Sequence, residues 1–403
     1  MEVAERQELI SRLCSFEARR AGTDAERRAA NDLARALKAQ GRRVEIEPTY
    51  VHPQWAAVHA LHCALGIAGG LVALALPIVG FTIVFAAAVS MYLDLNTRFY
   101  ILRRLFFRRA SQNVVSRGVR RDAPARVVLC AHLDAAQTGR AFDPGPARLA
   151  ARAQAVLPFP LGPFRVLFWS LALLLPPLAA RMAELEGGWV SALQLVPTLA
   201  LIIGVFMLAD IALSPIAPAA NDNASGVATA LSLAAELDAD PPDHLDVWVL
   251  LTGAEECQQE GMRSFVRAHR EDLPPESTYF VCLDTVGAGD VRYEVSAGWV
   301  VSFNMDPRLV ELCEAIATAD AQGEGRYRAK PLSSGYAGDG LAARVRGYPA
   351  TTVRCLDEAG RAPGQHTAAD TPDRIDAAAL ARAHGFALDA IRLLDRDVGR
   401  QQR

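Results

Sequence analysis

Between Trp55 and Leu93 the 403-residue chain contains no aspartate, glutamate, lysine or arginine. A helix running through all of it would be roughly 58 Å long at about 1.5 Å per residue, against a hydrocarbon core of about 30 Å, so a single span is excluded. Two spans turning near Pro77 to Gly80 fit the length. A second charge-poor block runs from Pro163 to Ala183 and from Gly188 to Ile211, divided by "RMAELEGG". Core helices ordinarily keep one polar face, and these stretches show none in the sequence. The reading is four transmembrane helices in two hairpins, 55–95 and 163–213, with a lipid membrane as partner.

Other absences narrow the class further. The seven cysteines are an odd number with no CxxC pair among them, which argues against a disulfide scaffold and for reduced thiols in a cytosolic setting. A net charge of −3 provides no basic field for nucleic acid. The opening "MEVAERQELISRL" lacks an apolar stretch and a small-residue cleavage site, so no secretory leader is expected. Internal repeats and low-complexity stretches are not apparent.

What remains outside the hairpins is three segments, 1–54, 96–160 and 214–403, which read as one discontinuous domain. In the first, Thr23 and Glu26 have capping-box spacing, Ala29, Leu33, Ala36 and Leu37 form an apolar face, and Gly41 closes the helix. Val44 and Ile46 alternate as in a strand. "ARVVLCAHLD" reads as a strand from about Arg126 that delivers His132 and Asp134 at its carboxyl end. "AANDNASGVATALSLAAEL" sets Asp222 just ahead of a helix. Asp246 to Gly253 is a buried strand running into "LLTGAEECQQEG", "STYFVCLDTVG" delivers Asp284, and "YPATTVR" precedes the loop carrying His366. Strands alternating with helices predict an α/β fold whose mixed, mainly parallel sheet is flanked by helices and interrupted by the two hairpins.

Glu255 and Glu256 stand side by side after the five apolar residues Val247 to Leu251. Adjacent acids repel, and a strand end does not need them. They join His132, Asp134, Asp222, Asp284 and His366, all at loops following successive strands, where open α/β sheets place their chemistry. Imidazoles and carboxylates suit zinc. Two zinc ions require a bridging carboxylate and about two further ligands each; five residues meet that count and leave one carboxylate as a base.

The ordered set "HLD … NDNASG … AEE … LDTVG … QHTAADTPD" resembles the co-catalytic zinc aminopeptidase family, which includes bacterial leucyl-type aminopeptidases, aminopeptidase Y and glutamate carboxypeptidase II, with transferrin receptor as a relative. The resemblance covers essentially all non-membrane residues, from the Thr23 helix and "QNVVSRG" at 112–118 onward. It implies two Zn2+ ions: Asp222 bridging, His132 and Asp284 on one, Glu256 and His366 on the other. Glu255 would be the general base and Asp134 the acid that orients His132. A cis peptide after Asp222 and a peptide substrate trimmed at its amino terminus are implied as well. The chain departs from the family in its insertions: 88 positions separate Asp134 from Asp222, where the family has a short loop. Two further classes share the fold: a binding protein without catalysis, which would have lost ligands, and a single-zinc glutaminyl cyclase.

Each hairpin leaves and re-enters on one side, and that side carries Arg98, Arg103, Arg104, Arg108, Arg109, Arg140, Arg148, Arg152 and Arg165. The far turns carry only Arg181, beside Glu184 and Glu186. The positive-inside rule therefore puts the catalytic domain in the cytoplasm, at the plasma (inner) membrane. His59 and His62, three apart, are expected to pack near the interface, Cys257 to be a small core residue, and His244, His269 and His384 to be solvated.

Overall fold

The computed structural model describes every residue except 121, 158, 186 and 403, so Glu186 in the second hairpin's turn and the terminal Arg403 lie outside the described residues. Helices α1 (Val3–Cys14) and α2 (Asp24–Ala39) open the chain. Thr23 Oγ1 caps α2 by accepting from the Glu26 amide at 3.2 Å. The reciprocal half of the capping box does not form, because Glu26 is drawn into the interior. There its carboxylate accepts from the Gly22 amide and the Ser111 hydroxyl, both at 2.7 Å.

Strand β1 (Val44–Val51) leads into α3 (Trp55–Val72) and α4 (Pro77–Leu95), and β2 (Arg109–Ser116), β3 (Ala125–His132) and α5 (Pro144–Val156) follow. The second apolar pair is α6 (Pro163–Met182) and α7 (Gly188–Leu213), then come α8 (Gly226–Ala239), β4 (Leu245–Thr252) and α9 (Glu260–Ala268). The remainder is β5 (Thr278–Leu283), β6 (Asp290–Ala297), β7 (Phe303–Asn304), α10 (Pro307–Gln322), β8 (Lys330–Ser333), α11 (Asp339–Arg344), β9 (Ala350–Leu356) and α12 (Ala377–Gln401).

One nine-stranded sheet takes strands from all three non-hairpin segments, in the order β1-β2-β4-β3-β5-β9-β6-β7, with β8 paired to β6. Its centre, β4-β3-β5-β9, is parallel, and β1, β2, β6 and β7 flank it in antiparallel pairings. The expectation of a mainly parallel sheet thus holds for the centre, while the flanks make the sheet mixed. Residues alternate between two apolar layers, as the period-2 pleat requires. Val127 and Leu129 face Leu33, Leu231 and Ile391 beneath α2, α8 and α12. Val128 and Cys130 face Phe265, Met262 and Tyr348 under α9 and α11. Burial on both faces explains why β4 reads as a continuous apolar run.

Helices α3, α4, α6 and α7, of 18, 19, 20 and 26 residues, are long and apolar enough to cross a membrane. They form their own core around Val84, Leu171, Leu174 and Leu201. Small residues permit the close approach: a Cβ on Gly66 would lie 2.4 Å from Leu171 Cδ2 and 2.8 Å from Leu201 Cδ1. The outer surface exposes Leu74, Ile78, Phe85, Leu173, Val196, Ile203 and Phe206, an apolar area that water would not leave uncovered.

Several local expectations are corrected. The first turn spans Ala73 to Leu76, since Pro77 starts α4 as Pro at the first helical position usually does. His269 is buried, with Nε2 2.8 Å from Glu47 Oε1, and is not solvated; His384 is partly buried. Arg103 and Arg165 are buried and hydrogen-bonded, and do not stand free at the membrane flank.

Candidate metal centre

Because β3, β4, β5 and β9 run parallel, their carboxyl ends emerge along one edge, with His132 registered beside Thr252 and Val281 beside Thr351. His132 ends β3, Glu255 and Glu256 lie in the loop after β4, and Asp284 follows β5. Asp222 lies in an irregular turn, Ala220–Ser225, that feeds α8, and its peptide to Asn223 is cis, as the resemblance implied. His366 comes from the loop after β9.

Four of these residues meet directly. His132 Nε2 is 3.1 Å from Asp222 Oδ1. His366 Nε2 is 3.2 Å from Asp222 Oδ2 and 3.2 Å from Glu256 Oε2. Asp222 thereby offers one oxygen to each imidazole. Donor atoms of His132, Asp222 and Glu256 all lie within 4.8 Å of one another. Asp284 stands at the rim of this group, one oxygen 3.1 Å from Arg354 Nη2. Asp284 Oδ1 is buried without a hydrogen bond among the described residues, and so is Asp222 Oδ2, which the His366 imidazole approaches at 3.2 Å without hydrogen-bond geometry. Orphaned carboxylate oxygens converging with two imidazoles are the donor set a zinc ion takes.

The glutamate loop is built from unusual backbone. Ala254, Gln258 and Gln259 all have positive φ, at 52°, 67° and 57°, a conformation that non-glycine residues hold only when their surroundings fix it. The Asp134 carboxylate supplies part of that restraint, accepting from the Glu255 amide at 3.0 Å and the Glu256 amide at 3.2 Å. His132 Nδ1 lies closer to the Asp134 backbone carbonyl (3.2 Å) than to its carboxylate (3.6 Å). The carboxylate is thus spent chiefly on the loop amides, and the carbonyl meets the ring. Gln259 Nε2 donates to Glu255 Oε1 at 3.1 Å and to the Ala337 carbonyl at 2.8 Å, so Glu255 is held by an amide and its charge is left uncompensated there.

The electrostatics of the site follow from this packing. Burial, with Glu256 alongside, pushes the Glu255 carboxyl well above its ordinary range, although His132 opposes. Asp222 moves the other way: burial disfavours its charge, but His132 and His366 together hold it well below the usual carboxylate range. Both imidazoles are held well above theirs, because contacts with Asp134 and Asp222 for one, and Glu256 and Asp222 for the other, outweigh burial.

Other residues of the site are not evident from the strand-end reading. Asp370 accepts from the Asn221 and Asp222 amides at 2.6 and 3.0 Å, and the Asn223 side chain bonds Leu283 O, the Thr285 amide and the Gly226 amide. Arg19, fully buried, donates to the carbonyls of Pro218 and Ala219 just before this turn. Asp339 faces the same small enclosed space as His132, Glu255 and Asp284; burial pushes it up to about 6, although Thr252 donates to it. Asn221, Asn223 and Asp370 sit inside the quoted motifs, and that was their available signal. Arg19 and Asp339 lie outside those motifs, and Arg354, though it ends "YPATTVR", meets its partner Asp284 only across the sheet. Phe142, from the connection into α6, packs its ring edge-on against His366 at 4.6 Å.

The chain is similar to known proteins in sequence over part of its length and in fold. Residues 208–391 match the model of peptidase family M28. A zinc aminopeptidase from Bacillus subtilis superposes with a TM-score of 0.56 at 14% identity, over 98% of this chain and 95% of that one. A Zn-dependent exopeptidase from Parabacteroides distasonis gives 0.54 at 14% identity, over 97% of both chains. A glutaminyl cyclase from Bacteroides thetaiotaomicron gives 0.55 at 14% identity, again over 97% of both. At such identities the structures speak to fold. No curated protein matches the sequence.

Proposed function

We propose, on the premise that this chain carries a zinc metallopeptidase domain of peptidase family M28, that it is a membrane-bound exopeptidase removing amino-terminal residues from peptides. The observation that carries the reading is Asp222 shared between His132 and His366, with Glu255 beside them and its carboxylate held by the Gln259 amide. His132 and Asp284 would hold one zinc ion, Glu256 and His366 a second, and Asp222 both. Zinc, when bound, makes water acidic and polarises a carbonyl oxygen. Glu255 takes the proton from the attacking water and passes it to the leaving amine. Asp134 keeps Glu255 and Glu256 in register through their amides, and Gln259 orients the Glu255 carboxylate.

Segments 1–54, 96–160 and 214–403 constitute the peptidase domain, and 55–95 and 163–213 its membrane hairpins. Arg98, Arg104, Arg108, Arg109, Arg140, Arg148 and Arg152 remain exposed after Arg103 and Arg165 are removed from the count, which supports a cytoplasmic domain at the inner membrane. Exposed Phe99 and Phe107 lie among them, as interfacial aromatics do.

The test is hydrolysis of amino-acid anilides and amino-blocked controls by the detergent-purified chain, with metal analysis. Two zinc ions per chain and release from free amino termini alone are expected; cleavage of the blocked controls would overturn the aminopeptidase reading. A cyclase reading draws on the same fold and predicts one zinc and ring closure of amino-terminal glutamine. An inactive binding protein would hold none.

A further inference from the structure

The first apolar pair is not separate from the glutamate loop. Arg103, between α4 and β2, is 0% exposed, and its guanidinium pairs with Asp94 of α4 at 2.8 and 3.0 Å, Asp94 being 1% exposed in turn. The same guanidinium donates to the Cys257 carbonyl and to Glu260 Oε1, each at 3.2 Å, and to the Gln258 side-chain oxygen. It stacks over the Tyr100 ring at 4.8 Å. Gln258 continues inward: its Nε2 lies 2.8 Å from His59 Nε2 on α3, and His59 stacks on His62, whose Nε2 is 2.9 Å from Ser90 Oγ on α4. Polar groups of both apolar helices thus converge on residues 257–260, immediately after the glutamates.

This clamp answers a need set by the backbone. The loop holds three non-glycine residues at positive φ; Asp134 fixes its beginning, its carboxylate accepting from the Glu255 and Glu256 amides. Arg103 fixes its end. A planar guanidinium can satisfy one carboxylate bidentately and still direct donors at a carbonyl, an amide oxygen and a second carboxylate, which an ammonium cannot.

We infer that Arg103, set by Asp94, is a positioning residue through which the first hairpin holds the Glu255–Glu256 loop in its working geometry; the inference rests on the exopeptidase reading of those glutamates. Displacements of about 1 Å at a reacting group cost on the order of a hundredfold in rate.

The test uses full-length protein in detergent carrying Asp94→Asn, Gln258→Leu or Arg103→Lys. Gln258→Leu matters because it removes the link to α3 while both carboxylates on Arg103 stay paired, so the fold is not at risk from an unpaired buried charge. We expect kcat to fall about ten- to a hundredfold, with KM and zinc content unchanged, and amide hydrogen exchange at Glu255 and Glu256 to quicken. Arg103→Lys, which keeps the charge, should retain more activity than Arg103→Met. Losses that track zinc content or folded fraction, or exchange identical to the parent, would overturn the inference. Should the parent itself hydrolyse nothing, the exopeptidase reading fails, and the exchange rates alone then decide whether Arg103 positions the loop.

Discussion

Exchanging one oxygen for nitrogen in each of the paired glutamates should produce two different failures. Glu255 makes its side-chain contact with Gln259, at 3.1 Å, and its amide contact with Asp134 does not involve the side chain. In Glu255→Gln the remaining carbonyl oxygen can keep accepting from Gln259, so the loop and the fold are retained. What is lost is the group that takes a proton, and general-base removal costs about 10²- to 10⁴-fold in rate, or roughly 3–5 kcal/mol at about 1.36 kcal/mol per tenfold. Glu256 instead sits 3.2 Å from His366 Nε2 on the opposite side of the cluster. In Glu256→Gln a neutral amide replaces an anionic donor, so metal affinity falls first and activity falls with it.

The assay is single-substrate kinetics on an aminoacyl anilide beside zinc content per chain. Glu255→Gln should hold its full zinc complement and be nearly inactive; Glu256→Gln should lose metal and regain part of its rate in excess zinc. Metal loss from the Glu255 variant with full retention in the Glu256 variant would reverse the two roles and refute the division drawn from their neighbours.

Three other outcomes are expected. Burial, with Asp134 adding to it, pushes the Glu26 carboxyl from 4.5 up to about 8, so the folded state holds that proton more tightly than the unfolded state. Stability should therefore fall as pH rises through that window, and Glu26→Gln should flatten the fall in a thermal-melt series; an unchanged slope refutes it. Gly66→Ala places a methyl 2.4 Å from Leu171 Cδ2, and overpacking of this kind costs about 1–3 kcal/mol, to be read as earlier unfolding in detergent. A reporter fused after the last residue should be silent as alkaline phosphatase and active as a cytoplasmic marker; the opposite pattern would turn the domain to the other side of the membrane.

How much of this could be read beforehand depends on the range over which each feature is determined. The strands β3, β4, β5 and β9 are apolar runs buried on both faces, and such runs announce themselves locally. The acids and histidines that end them fall on one edge as soon as those strands are parallel. Partners contributed from far along the chain left no local trace. Glu26 looked like half of a capping box, yet Ser111, 85 residues on, claims its carboxylate. Arg103 looked like one of a run of flank arginines, yet Asp94 and Glu260 enclose it. His269 looked solvated in a polar stretch until Glu47 met it across the sheet edge. In each case a charged side chain that composition assigns to the surface is carried inward by partners that only the fold supplies, counter-charges for Arg103 and His269 and neutral donors for Glu26.

The places where the apolar pairs interrupt the domain follow from the same sheet. The first is inserted between β1 and β2, whose ends are already paired at Val51 and Arg109. The second is closed at its base by the Gln137–Ile216 bridge and by the bonds from Ala217 N to Ala136 O and Thr138 N to Pro215 O, at 2.9 and 2.8 Å. A long insertion between points already held together adds loop entropy only slowly, about 0.6 kcal/mol per doubling of length, so the sheet tolerates both. Strand β2 runs antiparallel to β4, with Val114 opposite Leu251 and Ser116 opposite Val249. Its beginning at Arg109 therefore lies toward the carboxyl end of β4, the edge that carries Glu255. The second insertion starts from the loop after His132 and returns directly into the turn that holds Asp222. Both pairs consequently leave the domain from the edge where the candidate metal ligands gather. Hairpins that served only as an anchor could have been attached at any loop, including the opposite edge or the chain ends. On the proposed reading, a membrane around both at this edge would face the site, and a peptide would reach Asp222 and Glu255 by passing between the lipid surface and the sheet, beside Phe142 on His366.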